Sequence, residues 1–213
     1  MTAVQLVLAS ASPARQQVLR GARISHTVQV SEVDEDQLLA HARAATGGTL
    51  NPRETVQLLA TAKARNVAQQ LELNEHGARL LVLGCDSMLE IDGEVHGKPG
   101  TARIAAERWR QMRGRTGQLH TGHWLIDAHT GSQVGGVSTT EIDFADVTDQ
   151  EIAAYVATGE PLEVAGACTI DGIGGPFITG IRGDHHGVIG LSLPLLRQLL
   201  DKLGMQVNQL WQV

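Results

Sequence analysis

Three short stretches hold the residues most able to do chemistry. Residues 84–100 read GCDSMLEIDGEVHGKPG: Asp86 and Ser87 follow the apolar run 80–83, the chain reverses at Asp92-Gly93, and Glu94, Lys98 and Pro99 arrive within six residues. A carboxylate at a strand end and an ammonium just past a reversal can face one pocket. Residues 10–15 read SASPAR, with Ser12 suited to a helix N-cap and Pro13 to the first helical position, where its missing N–H costs nothing. The free N–H groups and positive dipole end of such a start make a natural anion site, and Arg15 adds a cation in the first turn. An ordinary capped helix carries the same letters. Residues 32–36 place four acids in five positions. That cluster either opens a solvated helix, since acids favour the first turn, or presents a divalent-cation ligand at a strand end.

These residues need elements to position them. Residues 4–9 form a short aliphatic run, read as a buried strand leading to Ser10. Residues 24–30 alternate as a second strand before the acids. Asn51-Pro52-Arg53-Glu54 announces a helix in which Val56, Leu59, Ala60, Lys63, Ala64, Val67 and Leu71 recur at helical spacing, closed by residues 74–78. Lys63 lies on that apolar stripe, where a lysine either snorkels or reaches into a cleft beside the core. Residues 80–86 are the central strand, and 87–91 lead to a hairpin turn. A helix over 101–112 ends at Gly114. Long strands over 117–127 and 134–144 flank a hairpin loop at 129–132. Thr148 to Glu151 has capping-box spacing, with Ile152, Tyr155 and Val156 turned inward and Gly159 as the stop. Eight of the 25 residues from Gly166 to Gly190 are glycine, and interspersed isoleucines argue for tight turns or close backbone approach there rather than a linker. A final amphipathic helix over 191–203 turns Leu195, Leu196, Leu199, Leu200 and Leu203 inward, and the tail from Met205 is expected to add an edge strand. Helices and strands alternate and a long hairpin follows, which indicates α/β with a mixed sheet.

Composition removes several classes. The 213 residues fit one large domain, and a chain of this length buries roughly 70–75% of its unfolded surface without a disulfide or metal staple. It is 42% hydrophobic and 19% charged, but only 3% aromatic, which disfavours a stacking platform for single-stranded nucleic acid. With a net charge of −6 and no basic block, an anionic ligand must be met by a local cluster of cations or helix starts. Cys85 and Cys168 lie far apart and read as free thiols in a reducing compartment. Cys85 has no identifiable base and reads as a core thiol. His120-x-x-His123 falls in a strand, where odd spacing sends the side chains to opposite faces, and His185-His186 reads as a solvated loop pair; neither suits a zinc hydrolase. The N-terminus lacks the basic region and apolar length of an export signal, and no run reaches membrane-spanning length. A cytoplasmic protein with neither membrane nor nucleic-acid partners is expected.

Taken together and in order, these residues resemble the Maf (septum-formation) family of nucleoside triphosphate pyrophosphatases, in the form seen in actinobacterial members. The resemblance covers almost the whole chain. It rests on LASASPAR at 8–15, VDE at 33–35, AKA at 62–64, GCDS at 84–87, GKP at 97–99 and GRT at 114–116 with Thr121-Gly122. It continues through YVATGEP at 155–161, AGA at 165–167 and VIGL at 188–191. It implies an elongated mixed β-sheet flanked by helices, with two lobes around a central cleft in one domain over residues 1–213. It implies hydrolysis of the α–β phosphate bond of non-canonical or pyrimidine nucleoside triphosphates, giving a monophosphate and pyrophosphate. A divalent cation, Mg²⁺ or Mn²⁺, is the implied cofactor, and homodimers are common in the family.

Carried over by position, Glu35 and Asp86 would hold the metal or orient the attacking water, Lys63 and Lys98 would contact phosphates, and Ser10, Ser12 and Arg15 would cradle the triphosphate. Phosphoryl chemistry relies on positioning and cations, and a metal bridging phosphate oxygens needs hard carboxylate ligands. Asp86 could equally be a general base. Three positions depart from common family patterns: Ala14 stands for the first of two arginines, Ser87 for threonine, and Asp171 for the glutamine of many pyrimidine-preferring members. An amide both donates and accepts towards a base edge while a carboxylate only accepts, so Ser87 and Asp171 are expected to bear on which nucleotide enters. The alternative is a nucleotide-binding regulator of septum formation with little turnover, towards which only the lost cation at Ala14 points.

Overall fold

A computed structural model describes residues 4–48, 50–72 and 78–212. In chain order the elements are β1 (Val4–Leu8), α1 (Pro13–Gly21), β2 (His26–Val28), α2 (Glu35–Thr46), α3 (Pro52–Gln70), β3 (Arg79–Ile91), β4 (Glu94–His96), α4 (Ala102–Met112), β5 (Thr116–Asp127), β6 (Gln133–Phe144), α5 (Asp149–Ala157), β7 (Ile178–Arg182), α6 (His185–Ile189) and α7 (Leu193–Lys202). The strands make a seven-stranded sheet ordered β2-β1-β3-β5-β6-β7, with β4 paired to β3 off that path. β1 runs parallel to β2 and β3, while β3–β4 and β6–β7 are antiparallel. The sheet is therefore mixed, as the alternation of helical and extended segments indicates.

The chain divides into two compact units. The first comprises residues up to Asp86, Thr121–Ser138 and those from Gly190 onward. Its β1 is a near-continuous apolar run with Leu6, Val7 and Leu8 buried, as a strand paired parallel on both sides requires. α3 starts at a complete capping box between Asn51 and Glu54 and buries Val56, Leu59, Ala60, Ala64 and Val67. Val7, Ala9, Val82 and Ile126 meet Ala64 and Val67 in one cluster. The second unit comprises Ser87–His120 and Thr139–Ile189. Its core is built around Trp109 of α4, whose ring meets Phe144, Tyr155 and Phe177 edge-on at 5.9, 5.6 and 5.6 Å, and whose Nε1 donates to the Ala167 carbonyl at 2.8 Å. Three edge contacts and a satisfied indole N–H let one tryptophan organise a core in a chain poor in aromatics.

Several expectations shift. β2 spans three residues rather than seven, because Thr27 and Val28 lie exposed at the sheet edge. The glycine-rich passage contains a strand, β7, and a short helix, α6. His185 and His186 start that helix instead of sitting in a loop. The tail forms a 3-10 turn over Val207–Leu210 and makes an isolated bridge, Ile24 to Trp211, outside the strands of the sheet rather than adding an edge strand. Residues 74–77 of the expected closure of α3 lie outside the described residues.

Candidate active site

The first unit brings three of the expected residues together. Lys63 Nζ lies 2.8 Å from Glu35 Oε1 and 2.7 Å from Asp86 Oδ1. Two local features deliver this contact. Asp34 caps α2 by accepting from Gln37 N, so Glu35 is the first helical residue and projects from the helix start. The acidic run opens a helix, as the first reading expects: Asp34 is the cap, and Glu35 meets the Lys63 ammonium from the helix start and not from a strand end. Gly84 sits two residues before Asp86 on β3, where an added Cβ would meet the Ala60 carbonyl oxygen at 2.2 Å and Ala64 N at 2.8 Å. Only glycine lets α3 lie this close to β3, and that approach carries Lys63 to Asp86. The Lys63 and Asp86 side chains keep 12% and 11% of their exposure, against 47% for Glu35. Burial pushes the Asp86 carboxyl above the usual carboxylate range, against the opposing pull of Lys63 and Arg15.

The Ser10–Arg15 turn lies beside this cluster. The Ala9 N–H donates to the Leu83 carbonyl at 2.8 Å, which ties the end of β1 to β3. Ser12 caps α1 by accepting from Arg15 N, and Pro13 opens the helix as expected. Ser10 is 8% exposed; its hydroxyl accepts from Ser12 N at 3.3 Å and from the Arg15 guanidinium at 2.9 Å. Arg15 Nε donates to the Gly190 carbonyl at 2.8 Å. The guanidinium is thus oriented from two sides at a helix start.

Sequence reasoning missed what holds that far partner. Gly190 precedes Ser192, the N-cap of α7, and the Ser192 N–H donates to His123 Nε2 at 2.9 Å. His123 is fully buried, and its Nδ1 faces the Thr121 carbonyl at 3.0 Å. Because a backbone N–H can only donate, Nε2 accepts and the ring proton sits on Nδ1. No spacing signal marks this link, since one partner is a backbone N–H and the orientation of Arg15 depends on a carbonyl 175 residues away.

The remaining expected residues belong to the second unit. Ser87 continues β3 directly after Asp86 and is half-buried. Lys98 follows β4 with an exposed side chain on a fixed main chain: Gly97 accepts from Arg108 and from Gly166 N, Pro99 is buried, and Gly100 N donates to the Leu162 carbonyl. Asp171 is exposed and accepts from the Thr169 hydroxyl. The turn carrying it is pinned by Glu160, whose carboxylate accepts from Ile173 N, Gly174 N and the Tyr155 hydroxyl, each at 2.8 Å.

Cys85 is the core thiol expected from sequence. It is fully buried, and burial pushes it up to about 12, so no thiolate is available as a nucleophile. Cys168 is also buried and likewise pushed up to about 12. What the first unit can do chemically is gather oxygen donors and cations: two carboxylates on one ammonium, a guanidinium at a helix start, and serine hydroxyls between them.

Comparison with known proteins shows the family of the chain. Residues 5–203 match the family described as Maf-like protein. A protein of Streptomyces coelicolor named nucleoside triphosphate pyrophosphatase is 52% identical over 207 residues, covering 97% of this chain and 94% of its own. Proteins of the same name from Leifsonia xyli and Salinispora tropica are 51% and 50% identical, covering 98% of this chain each and 97% and 88% of their own.

Proposed function

The chain belongs to the Maf-like protein family, and from that membership and the Glu35–Lys63–Asp86 cluster we propose that it is a nucleoside triphosphate pyrophosphatase. It cleaves the α–β phosphate bond of a nucleoside triphosphate, releasing a monophosphate and pyrophosphate. The observation that carries this reading is the convergence of two carboxylates on one ammonium, next to a helix start that presents Ser10, Ser12 and Arg15. A triphosphate is a dense polyanion, and a site that hydrolyses it needs cations on its oxygens and a carboxylate near the attacked phosphorus.

Glu35 and Asp86 are hard oxygen donors already converging on a cation, the Lys63 ammonium, so the pair fits Mg²⁺ or Mn²⁺. Held there, a divalent ion would polarise phosphoryl oxygens and acidify a bound water. The chain's own groups do the rest. Arg15, fixed by Gly190 and Ser10, offers a planar donor fork to phosphate at the positive dipole end of α1. Ser10 and Ser12 line the same turn. Lys63 neutralises the acidic pair and can turn to phosphate, and Lys98 supplies a second ammonium. Asp86 either holds the ion or takes the proton of the attacking water. Ser87 and Asp171 bear on nucleotide choice, and Asp171, which only accepts, favours a base edge that donates.

The whole chain acts as one Maf-like domain, in the cytoplasm and as a homodimer. Among the described residues no helix is long and apolar enough to cross a membrane.

The test is a panel of natural and modified nucleoside triphosphates, assayed with Mg²⁺ and Mn²⁺ for pyrophosphate. Pyrophosphate as the first product, with no turnover in chelator, is expected. Orthophosphate as the first product would place cleavage at another bond. Tight nucleotide binding without turnover across the panel would favour the regulator of septum formation instead.

A further inference from the structure

The second unit carries a side-chain cluster that this activity does not use. Asp184, His185 and His186 each offer a ligand atom, and these atoms all lie within 4.8 Å of one another. Asp184 Oδ1 and His186 Nδ1 stand 3.4 Å apart. Two donors each about 2.1 Å from a tetrahedral ion are separated by about 3.4 Å, so this pair is already at ligand spacing. The His185 ring centroid lies 3.7 Å from that of His186, and His185 is exposed, so rotation of an unburied ring brings in the third donor.

The carboxylate is held in place from behind. Its Oδ1 accepts the His186 N–H at 3.2 Å and its Oδ2 the Gly187 N–H at 3.1 Å. The main chain of Asp184 is clamped by one hydroxyl: Asp184 N donates to Thr140 Oγ1 at 3.1 Å, and that hydroxyl donates to the Asp184 carbonyl at 3.0 Å. Thr140 is 1% exposed, so the clamp is rigid. Gly183 makes the approach possible, with φ +135° and a Cβ position 2.9 Å from Thr140 Oγ1. A carboxylate has about four lone-pair directions; backbone donors take two, and a cation would take the place of the His186 ring contact at Oδ1. Outer hydrogen bonds of this kind are what orient metal ligands.

From this geometry we propose that Asp184, His185 and His186 form a site for one borderline transition-metal dication, with Zn²⁺ as the type ion. Two imidazoles and a carboxylate suit Zn²⁺, Ni²⁺ or Cu²⁺ and are poor ligands for Mg²⁺. The site is therefore chemically separate from the all-oxygen pair Glu35 and Asp86. Three protein ligands leave a fourth position for water or an anion.

Zinc binding to the full chain, measured by equilibrium dialysis in excess Mg²⁺, tests the proposal. One zinc per chain is expected, with an X-ray absorption spectrum showing two imidazole ligands. His185→Ala and His186→Ala should each weaken binding by at least about tenfold, and Thr140→Val by about tenfold through the clamp. Asp86→Asn should leave zinc binding unchanged. His185 is exposed, so its replacement tests the ligand set without threatening the fold. Absence of stoichiometric zinc, wild-type zinc affinity in the His185→Ala, His186→Ala double variant, or a spectrum without imidazole would overturn the site.

Discussion

Asp86 and Asp127 belong to the same unit and are both buried, at 8% and 0% exposure, yet their acidities are displaced in opposite directions. In both, burial is the largest influence and pushes the carboxyl up. At Asp127 it is outweighed by donors: Arg79 reaches Oδ2 through two nitrogens at 3.0 and 2.6 Å, the Thr130 hydroxyl adds a bond at 2.9 Å, and His129 N meets Oδ1 at 3.1 Å. Its carboxyl is held below the usual range. At Asp86 the hydrogen bond recorded among the described residues comes from the Lys63 ammonium, and the carboxyl stays above that range. Enclosure and donors together set the direction: Asp86 is surrounded by more protein and meets fewer donors, while Asp127 meets many. Asp127 is saturated and anchors the hairpin loop between β5 and β6. Asp86 retains acceptor capacity, which is where a metal ion or a water fits.

The largest expected effect breaks the contrast at its reactive end. Asp86→Asn should lower Mg²⁺- or Mn²⁺-dependent pyrophosphate release by about 10²- to 10³-fold, measured as kcat, while urea unfolding shifts little. Asp127→Asn should do the reverse, leaving turnover intact and lowering stability by about 2–3 kcal/mol, less than a wholly buried pair because Arg79 is partly exposed. The sign of its pH dependence follows from the depressed acidity. Asp127 stabilises the fold above the ordinary carboxylate value, and that contribution is lost as pH falls through its lower, folded value. Unfolding curves of wild type and Asp127→Asn should therefore differ at neutral pH and converge in acid.

Gly84→Ala sharpens the contrast differently. The added methyl forces α3 away from β3 and takes Lys63 from Asp86, without touching Asp127. A loss of about 1–3 kcal/mol in denaturant titration is expected, together with lowered turnover. Unchanged stability would mean that the close approach at Ala60 is not required. The smallest effect is expected at Lys98→Ala: about a tenfold fall in kcat, or roughly 1.4 kcal/mol, with unfolding unchanged because the side chain is exposed and only the neighbouring main chain is pinned.

Much of this was legible because its causes are local. The caps at Ser12, Asn51 and Thr148 each depend on a residue three positions away, and all three were found where the spacing puts them. The strands around Asp86 and the hairpin at Asp92-Gly93 follow from apolar runs and turn chemistry within a dozen residues. β7 and α6 escaped because glycine erases the periodicity that would announce them. The tail misread as an edge strand shows the same limit, since its apolar residues face a core and not a neighbouring strand: Met205 and Leu210 are buried without any ladder.

The sequence by itself determined the mixed α/β class, the order of most elements and which acids, lysines and serines stand where the family resemblance places a phosphate site. Those follow from periodicity, capping and residue type, which are properties of neighbouring positions. The tertiary structure alone decided which charges meet. Lys63 pairs with Glu35 and Asp86 because a missing Cβ at Gly84 lets a helix touch a strand. Arg15 is aimed by a carbonyl that no side chain encodes. Asp86 and Asp127 carry the same letter and diverge through how much protein encloses each and how many donors it meets, quantities set by contacts far apart in the chain.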